Sequence, residues 1–177
     1  MRKTDKTVNL GEIGLSKTHS VLSCYGLGSC VAVALFDPET KIGGLAHVVL
    51  PEDAEYNLNM GNKEAYLLLI DLLGRPAKFA DSGLTVMLNK LKECGAKLHN
   101  LQAKVVGGAR VLPPISLNSL ELDIGKQNEI AVKRQLERYD IPIVASDLGV
   151  SESRTVKFHP ADGAVEVWRN WSGKIVI

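Results

Sequence analysis

Two apolar segments joined by a turn constrain the fold of this chain more than any other feature of its sequence. Residues 29–36 are β-rich and apolar, and an Asp-Pro pair follows them as a turn signal. A second apolar run, 45–50, is closed by a proline. The pattern predicts a β-hairpin in which Cys30 opens one arm and His47 lies midway along the other.

The rest of the chain mixes further strands with helices. Apolar residues at helical spacing predict helices over 64–73, 78–94 and 125–139. β-rich runs predict strands over 20–24, 101–106 and 141–146, a hairpin with arms 155–159 and 164–168, and a last strand over 174–177. Two glycines after a strand predict a tight turn at 107–109. Hairpins covered by helices indicate an α+β fold, and 177 residues fit one domain, 1–177.

Composition and charge narrow the class of protein. The formal net charge is +1, from 21 basic and 20 acidic residues, which predicts no binding surface for nucleic acid or anionic lipid. The first residues lack the apolar core of a signal peptide. The longest apolar run, around 67–73, is interrupted by Asp71 and is too short to span a bilayer. We therefore expect a cytoplasmic protein without membrane insertion.

The cysteines and histidines predict neither disulfides nor a metal site. The three cysteines are an odd number, and none forms a Cys-x-x-Cys pair, so we expect free thiols. The four histidines have no repeated spacing. The turn at 107–109 lacks the lysine and hydroxyl residue of a phosphate loop. We expect no metal and no cofactor.

Cys30 is the first candidate catalytic residue. It follows Gly-Leu-Gly-Ser at 26–29. A cysteine just past a glycine-rich turn can expose its sulfur beside backbone N–H groups that stabilise an oxyanion, and its thiolate needs a nearby base. The alternative is a core cysteine that packs as a small apolar residue.

His47 is the second candidate, because a histidine is unusual inside an apolar strand. Paired with Cys30 through the hairpin, its imidazole would act as a general base. The alternative is a core histidine that is held by backbone hydrogen bonds.

Several segments together resemble one known family. They are Gly-Leu-Gly-Ser-Cys-Val-Ala-Val at 26–33, Gly-Gly-Leu-Ala-His-Val-Val-Leu-Pro at 43–51, and the segments 78–81, 103–109, 124–128 and 147–149, with Arg154. In this order they resemble CheD, the chemoreceptor glutamine deamidase family of bacterial chemotaxis, over most of the 177 residues.

The resemblance implies a fold and a reaction. The fold would be a central β-sandwich flanked by helices, similar to the catalytic domains of deamidating bacterial toxins. The reaction would be hydrolysis of a receptor glutamine to glutamate. Cys30 would attack the carboxamide carbon and form a thioester, while His47 would activate the thiol and protonate the departing ammonia. The backbone N–H groups of Ser29 and Cys30 are the expected oxyanion donors.

One position departs from the family's pattern. The family places a threonine or serine as the third catalytic residue, six residues before the cysteine, and here that position is Cys24 with Ser23 beside it. A thiol is the poorer hydrogen-bond partner, so Cys24 would hold the imidazole less firmly. Ser23 can substitute only if the strand shifts by one residue. Alternatively, Cys24 is a packed strand residue, and the role has passed to Ser23 or to a backbone carbonyl.

The resemblance also implies partners. The substrate would be the cytoplasmic helices of methyl-accepting chemoreceptors, and a CheC-type phosphatase of the response regulator would be a binding partner. The chain could therefore serve mainly as a regulatory partner with weak or no catalysis. A second alternative is a transglutaminase-like acyl transferase, which passes the same thioester to an amine. The presence of both Cys30 and His47 favours the enzyme over a pure binding module.

Overall fold

The computed structural model describes residues 4–17, 20–53, 63–110, 115–117 and 120–177. Its strands, in chain order, are β1 (Thr4–Thr7), β2 (Ile13–Lys17), β3 (Ser20–Leu27), β4 (Val31–Asp37), β5 (Ile42–Val48), β6 (Gln102–Gly107), β7 (Ile115–Leu117), β8 (Leu120–Leu122), β9 (Ile143–Leu148), β10 (Arg154–His159), β11 (Ala164–Arg169) and β12 (Gly173–Val176). The α-helices in these ranges are α1 (Lys63–Leu72), α2 (Ala80–Glu93) and α3 (Ile124–Arg138).

Two five-stranded sheets form the body of this α+β structure. The outer sheet has the strand order β1-β3-β10-β11-β12, and the central sheet has the order β2-β5-β4-β6-β9. Both sheets are mixed, because β1 runs parallel to β3 and β9 runs parallel to β6, while the other pairs are antiparallel. None of the helices in the described ranges is long and apolar enough to cross a membrane.

Strand β4 shows how the layers pack. Val31, Val33 and Leu35 belong to an apolar cluster shared with residues of α2 and α3. The alternate residues from Ala32 to Phe36 join a second cluster with residues of the outer sheet. Because successive side chains of a strand point to opposite faces, and both faces are covered, every residue of β4 is buried. The two sheets therefore form the predicted sandwich, and α2 and α3 cover the central sheet.

Two glycines of β5 let both covering layers approach closely. A Cβ on Gly43 would lie 2.8 Å from the ring of Phe158 in the outer sheet. A Cβ on Gly44 would lie 2.9 Å from the end of the Met87 side chain in α2. Any side chain at either position would push a layer away from the central sheet.

The predicted helices and strands are confirmed, with several ends shifted. The helix predicted from 78 begins at Ala80, because Phe79 has an extended backbone (φ −116°, ψ 148°). The hairpin prediction was wrong in two details: Cys30 precedes its strand, and His47 is the second-last residue of β5. The strands β1, β2, β7 and β8 were not predicted.

Candidate active site

Cys30 lies where the chain passes from one sheet to the other. Strand β3 of the outer sheet ends at Leu27 and β4 of the central sheet begins at Val31, so residues 28–30 link the two layers. Gly26, at the end of β3, has a φ of 65°, which favours glycine. The Cys30 side chain is partly buried and packs against the apolar cluster between the sheets.

The turn at 107–109 holds the loop that carries Cys30. The N–H of Gly108 donates to the Cys30 carbonyl, and the N–H of Ala109 donates to the Gly28 carbonyl, each at 2.9 Å. Gly107 has a φ of 126°, and a Cβ there would lie 2.3 Å from the Cys30 carbonyl oxygen. The predicted tight turn is confirmed, and its glycines also permit this close approach.

The backbone groups of residues 28–30 differ in their hydrogen bonds. In the described part of the chain no backbone carbonyl accepts a hydrogen bond from either one. The carbonyls of residues 28–30, by contrast, all accept one. Burial raises the pKa of the Cys30 thiol, and its own backbone N–H opposes that shift.

His47 faces the space between the sheets. Its cross-strand partner is Ala32, which packs toward the outer sheet. Directly opposite residues of an antiparallel pair project to the same face. Cys30 precedes Ala32 by two residues and contacts the same cluster. The Cys30 and His47 side chains therefore lie at one end of the β4–β5 pair, on one face.

The imidazole of His47 is buried, neutral and oriented. It is 2% exposed, and its Nδ1 lies 3.3 Å from the Val8 carbonyl oxygen. A carbonyl can only accept, so the proton is on Nδ1 and Nε2 keeps a lone pair. Burial lowers the pKa of His47, against the raising effects of the Val8 carbonyl and the Glu12 charge. Among the described residues Nε2 has no hydrogen-bond partner, so the Cys30 sulfur lies beyond hydrogen-bond reach of it in this structure.

The loop of residues 8–12 makes hydrogen bonds to His47. No sequence pattern predicted these contacts. The His47 N–H donates to the Glu12 carbonyl at 3.1 Å, and the Gly11 N–H donates to the His47 carbonyl at 2.9 Å. With the Val8 contact to the ring, this loop fixes both the backbone and the side chain of His47.

Cys24 is packed between the sheets near Cys30. It is fully buried in the inter-sheet cluster. Burial raises the pKa of the Cys24 thiol, and the neighbouring Cys30 and Glu12 side chains raise it further, so the thiol stays protonated at neutral pH. The imidazole bonds to the Val8 carbonyl, which corresponds to the backbone-carbonyl alternative for the third role.

Ser23 points to the opposite face of β3, away from the Cys30–His47 pair. Its hydroxyl donates to the Asp5 carboxylate at 2.5 Å, and Lys157 donates to the same carboxylate at 2.9 Å. These three residues form a polar network on the outer face of the outer sheet. In this register Ser23 does not reach the imidazole.

Variants at these two positions should separate their roles. We expect Ser23→Ala to keep the rate of the deamidation that the family resemblance implies, and to lose on the order of 1 kcal/mol of stability with its hydrogen bond to Asp5. We expect Cys24→Thr to keep or raise activity, with Cys24→Ala as its matched control. For each variant we would measure kcat and, separately, the urea concentration at the midpoint of unfolding. A rate loss confined to Ser23→Ala would assign the third role to Ser23.

The lowered pKa of His47 predicts a loss of stability in mild acid. Below about pH 6.5 the unfolded chain takes up a proton on this imidazole that the folded protein resists. The stability that His47 contributes is therefore present above that pH and is lost as the pH falls toward the folded pKa. Wild type should lose more stability than His47→Gln between about pH 7.5 and pH 5.5, measured by urea unfolding. Asp37, with a pKa lowered to about 2, titrates below this window.

These observations define a class: an α+β protein of two packed sheets, with a cysteine and a neutral histidine at the junction between them. Within the described ranges, no group of three or more His, Cys, Asp and Glu side chains could hold a metal ion.

Comparison with known proteins assigns the family. The CheD family model, described as chemotactic sensory transduction, matches residues 71–169. The probable chemoreceptor glutamine deamidase CheD of Pyrococcus horikoshii is 36% identical over 169 residues, covering 96% of this chain and 94% of that protein. The chemoreceptor glutamine deamidase CheD of Halalkalibacterium halodurans is 37% identical over 153 residues, covering 86% of each. The chain belongs to the CheD family.

Solved structures add only a weak likeness. The Bacillus licheniformis hypothetical protein YfiH matches 79% of this chain and 50% of its own, with a TM-score of 0.39 and 12% identity. A likeness at this level supports no conclusion. The similarity to deamidating toxins stays a prediction.

Proposed function

We propose that this protein hydrolyses glutamine side chains of chemoreceptors to glutamate, with Cys30 as the nucleophile and His47 as the base. Relatives that align with most of the chain carry the name chemoreceptor glutamine deamidase. The observation that carries the chemistry is the free Nε2 lone pair of a buried, neutral His47 at the Cys30 end of the strand pair.

The first step is proton transfer and attack on the carboxamide. Nε2 of His47 takes the thiol proton as the Cys30 sulfur bonds to the carboxamide carbon. The N–H groups of Ser29 and Cys30 stabilise the negative oxygen that develops, because neither is committed to a backbone carbonyl. The Val8 carbonyl holds the imidazole and stabilises its protonated form.

The second half of the reaction releases ammonia and then glutamate. The imidazolium of His47 gives its proton to the departing nitrogen, and the C–N bond breaks to leave a thioester. A water molecule, deprotonated by Nε2, then attacks the thioester carbon. The C–S bond breaks, the imidazolium returns its proton to the sulfur, and the carboxylic acid product releases its own proton to solvent to become a carboxylate.

The test is mass spectrometry of a chemoreceptor cytoplasmic fragment after incubation with the protein. A glutamine that is converted to glutamate gains about 1 Da, and one ammonia is released for each event. Release of ammonia with incorporation of an added amine, and without glutamate, would identify an acyl transferase instead. No change in mass and no ammonia would contradict the proposal.

A regulatory role is the second candidate, and one surface favours it. Four leucines of α1 and the turn after it, at positions 68, 69, 72 and 73, are between 51% and 76% exposed. Contiguous exposed apolar side chains are typical of protein–protein contact sites. This surface is our candidate for contact with a CheC-type phosphatase, and such binding is compatible with catalysis at Cys30.

A further inference from the structure

The candidate nucleophile lies where two paired strands separate. The ladder between β4 and β5 ends at Val31 and Val48. Beyond this pair, the carbonyl of Cys30 accepts a hydrogen bond from the turn at 107–109, whereas the N–H of Val49 donates to the carbonyl of Lys78. The hydrogen bonds between β4 and β5 therefore stop before the Cys30 loop. In the described ranges they do not set the distance between that loop and residue 49, which follows the His47 strand.

The side chain of Asn128 spans this gap. Its amide nitrogen donates to the carbonyls of Ser29 and Val49, each at 2.9 Å. Asn128 lies on α3 and is fully buried. One nitrogen therefore joins the residue before the nucleophile to the second residue after the base.

We propose that Asn128 is a positioning residue, which sets the separation between the Cys30 loop and the strand of His47. This inference rests on the proposed roles of those two residues. Residues 124–128 are among the segments that resemble the family, but that motif by itself gave Asn128 no role, and its contacts to the Ser29 and Val49 carbonyls supply one.

The chemistry of the amide suits this task. A carboxamide carries two N–H donors on a single atom, and both acceptors here are carbonyl oxygens. The amide can therefore lie in one orientation only, since the reverse would place its oxygen against both carbonyls. Its Oδ1 is buried, and no described residue donates a hydrogen bond to it. An unpartnered buried acceptor is destabilising, and the two hydrogen bonds that the nitrogen of the same amide donates offset that cost.

Helix α3 holds Asn128 firmly in place. The helix packs its first turn on the turn at 107–109, where a Cβ on Gly125 would lie 2.8 Å from the carbonyl oxygens of Gly108 and Ala109. That turn in turn bonds to the Cys30 loop. Helix α3 therefore supports the Cys30 loop in two ways. It does so directly through Asn128, and indirectly through the turn at 107–109.

The test compares Asn128→Ala and Asn128→Asp with the control Gln135→Ala. Gln135 lies seven residues further along α3 and is 6% exposed. Within the described ranges its buried amide oxygen also has no partner, and its side chain donates to neither the Cys30 loop nor the His47 strand. We expect both Asn128 variants to lower kcat by roughly 10- to 100-fold, the usual cost of misplacing a reacting group by about 1 Å, with little change in KM. The pH profile of Cys30 alkylation should also shift. Gln135→Ala should keep the wild-type kcat and the wild-type pH profile of Cys30 alkylation, even if its melting temperature falls as far as that of the Asn128 variants.

Two outcomes would overturn the inference. One is a wild-type kcat and Cys30 alkylation profile in Asn128→Ala. The other uses the wild-type protein and so does not depend on folding of a variant: the side-chain amide NMR signals of Asn128 should shift when Cys30 is alkylated, and unchanged signals would contradict the proposal. If wild type does not deamidate the receptor but Asn128→Ala alters the alkylation profile, the proposed function fails and the positioning role stands.

Discussion

Cys30→Ala is expected to abolish glutamine deamidation and leave the fold intact. The substitution removes one partly buried sulfur, while the hydrogen bonds that hold the loop are made by backbone carbonyls and persist. Without the sulfur no thioester forms. The measurement is glutamate formation on a receptor fragment by mass spectrometry, beside the circular dichroism spectrum and melting temperature of the variant.

Two further variants make this result specific. Cys30→Ser should also be inactive, because a serine hydroxyl is a far weaker nucleophile without a base adapted to it. Cys94→Ala is the matched control, since Cys94 is likewise a partly buried free thiol but lies at the end of α2. It should keep full activity. A Cys30→Ala protein that deamidates at the wild-type rate would rule out the mechanism.

His47→Ala is expected to slow deamidation by roughly 10²–10⁴-fold, the usual contribution of a positioned acid–base group. The imidazole has two uses in the proposed reaction, as acceptor of the thiol proton and as donor to the departing ammonia. Both depend on Nε2, which the Val8 contact leaves as the unprotonated nitrogen. Single-turnover rates with the receptor fragment measure the loss.

The same variant tests whether the two side chains cooperate. Alkylation of Cys30 at neutral pH should be slower in His47→Ala, because the base that accepts the thiol proton is gone. His159→Ala, which removes a partly buried imidazole from the outer sheet, should alter neither rate. Unchanged Cys30 reactivity in His47→Ala would show that the two residues do not act as a pair.

The electrostatics of the site favour a neutral resting pair. Burial raises the pKa of Cys30 and lowers that of His47, so both groups hold their uncharged forms at neutral pH. A preformed thiolate–imidazolium pair would show the opposite shifts. In the proposed mechanism the proton therefore moves only as the sulfur attacks, when the oxyanion donors stabilise the charge that develops.

Local sequence patterns sufficed for the elements that carry the candidate pair. The apolar runs around Cys30 and His47 have β-branched residues and turn signals at their ends, so the β4–β5 hairpin could be predicted without its neighbours. The amphipathic helices were predicted for the same reason, because helical periodicity depends only on residues close in the chain. The family membership also followed from ordered motifs in the sequence.

The unpredicted parts depend on contacts between distant residues. Strand β1 has the exposed polar sequence of a loop, and it is a strand because Thr4–Thr7 pairs in parallel with β3. The parallel partner lies 16 residues away along the chain, and no local pattern encodes such a pairing. The side of β3 on which Ser23 lies was likewise fixed by pairing, through the network with Asp5 and Lys157.

The sequence by itself determined the family, the main helices and strands, and the two residues proposed to react, because each rests on short motifs or local periodicity. Only the tertiary structure decided how those residues are held. The Val8 carbonyl that orients His47 is 39 residues away in the chain, and the Asn128 amide that bonds to the Cys30 loop is 99 residues from Ser29. Backbone carbonyls are present at every residue, so which of them meets a given side chain is settled only when the sheets and helices pack.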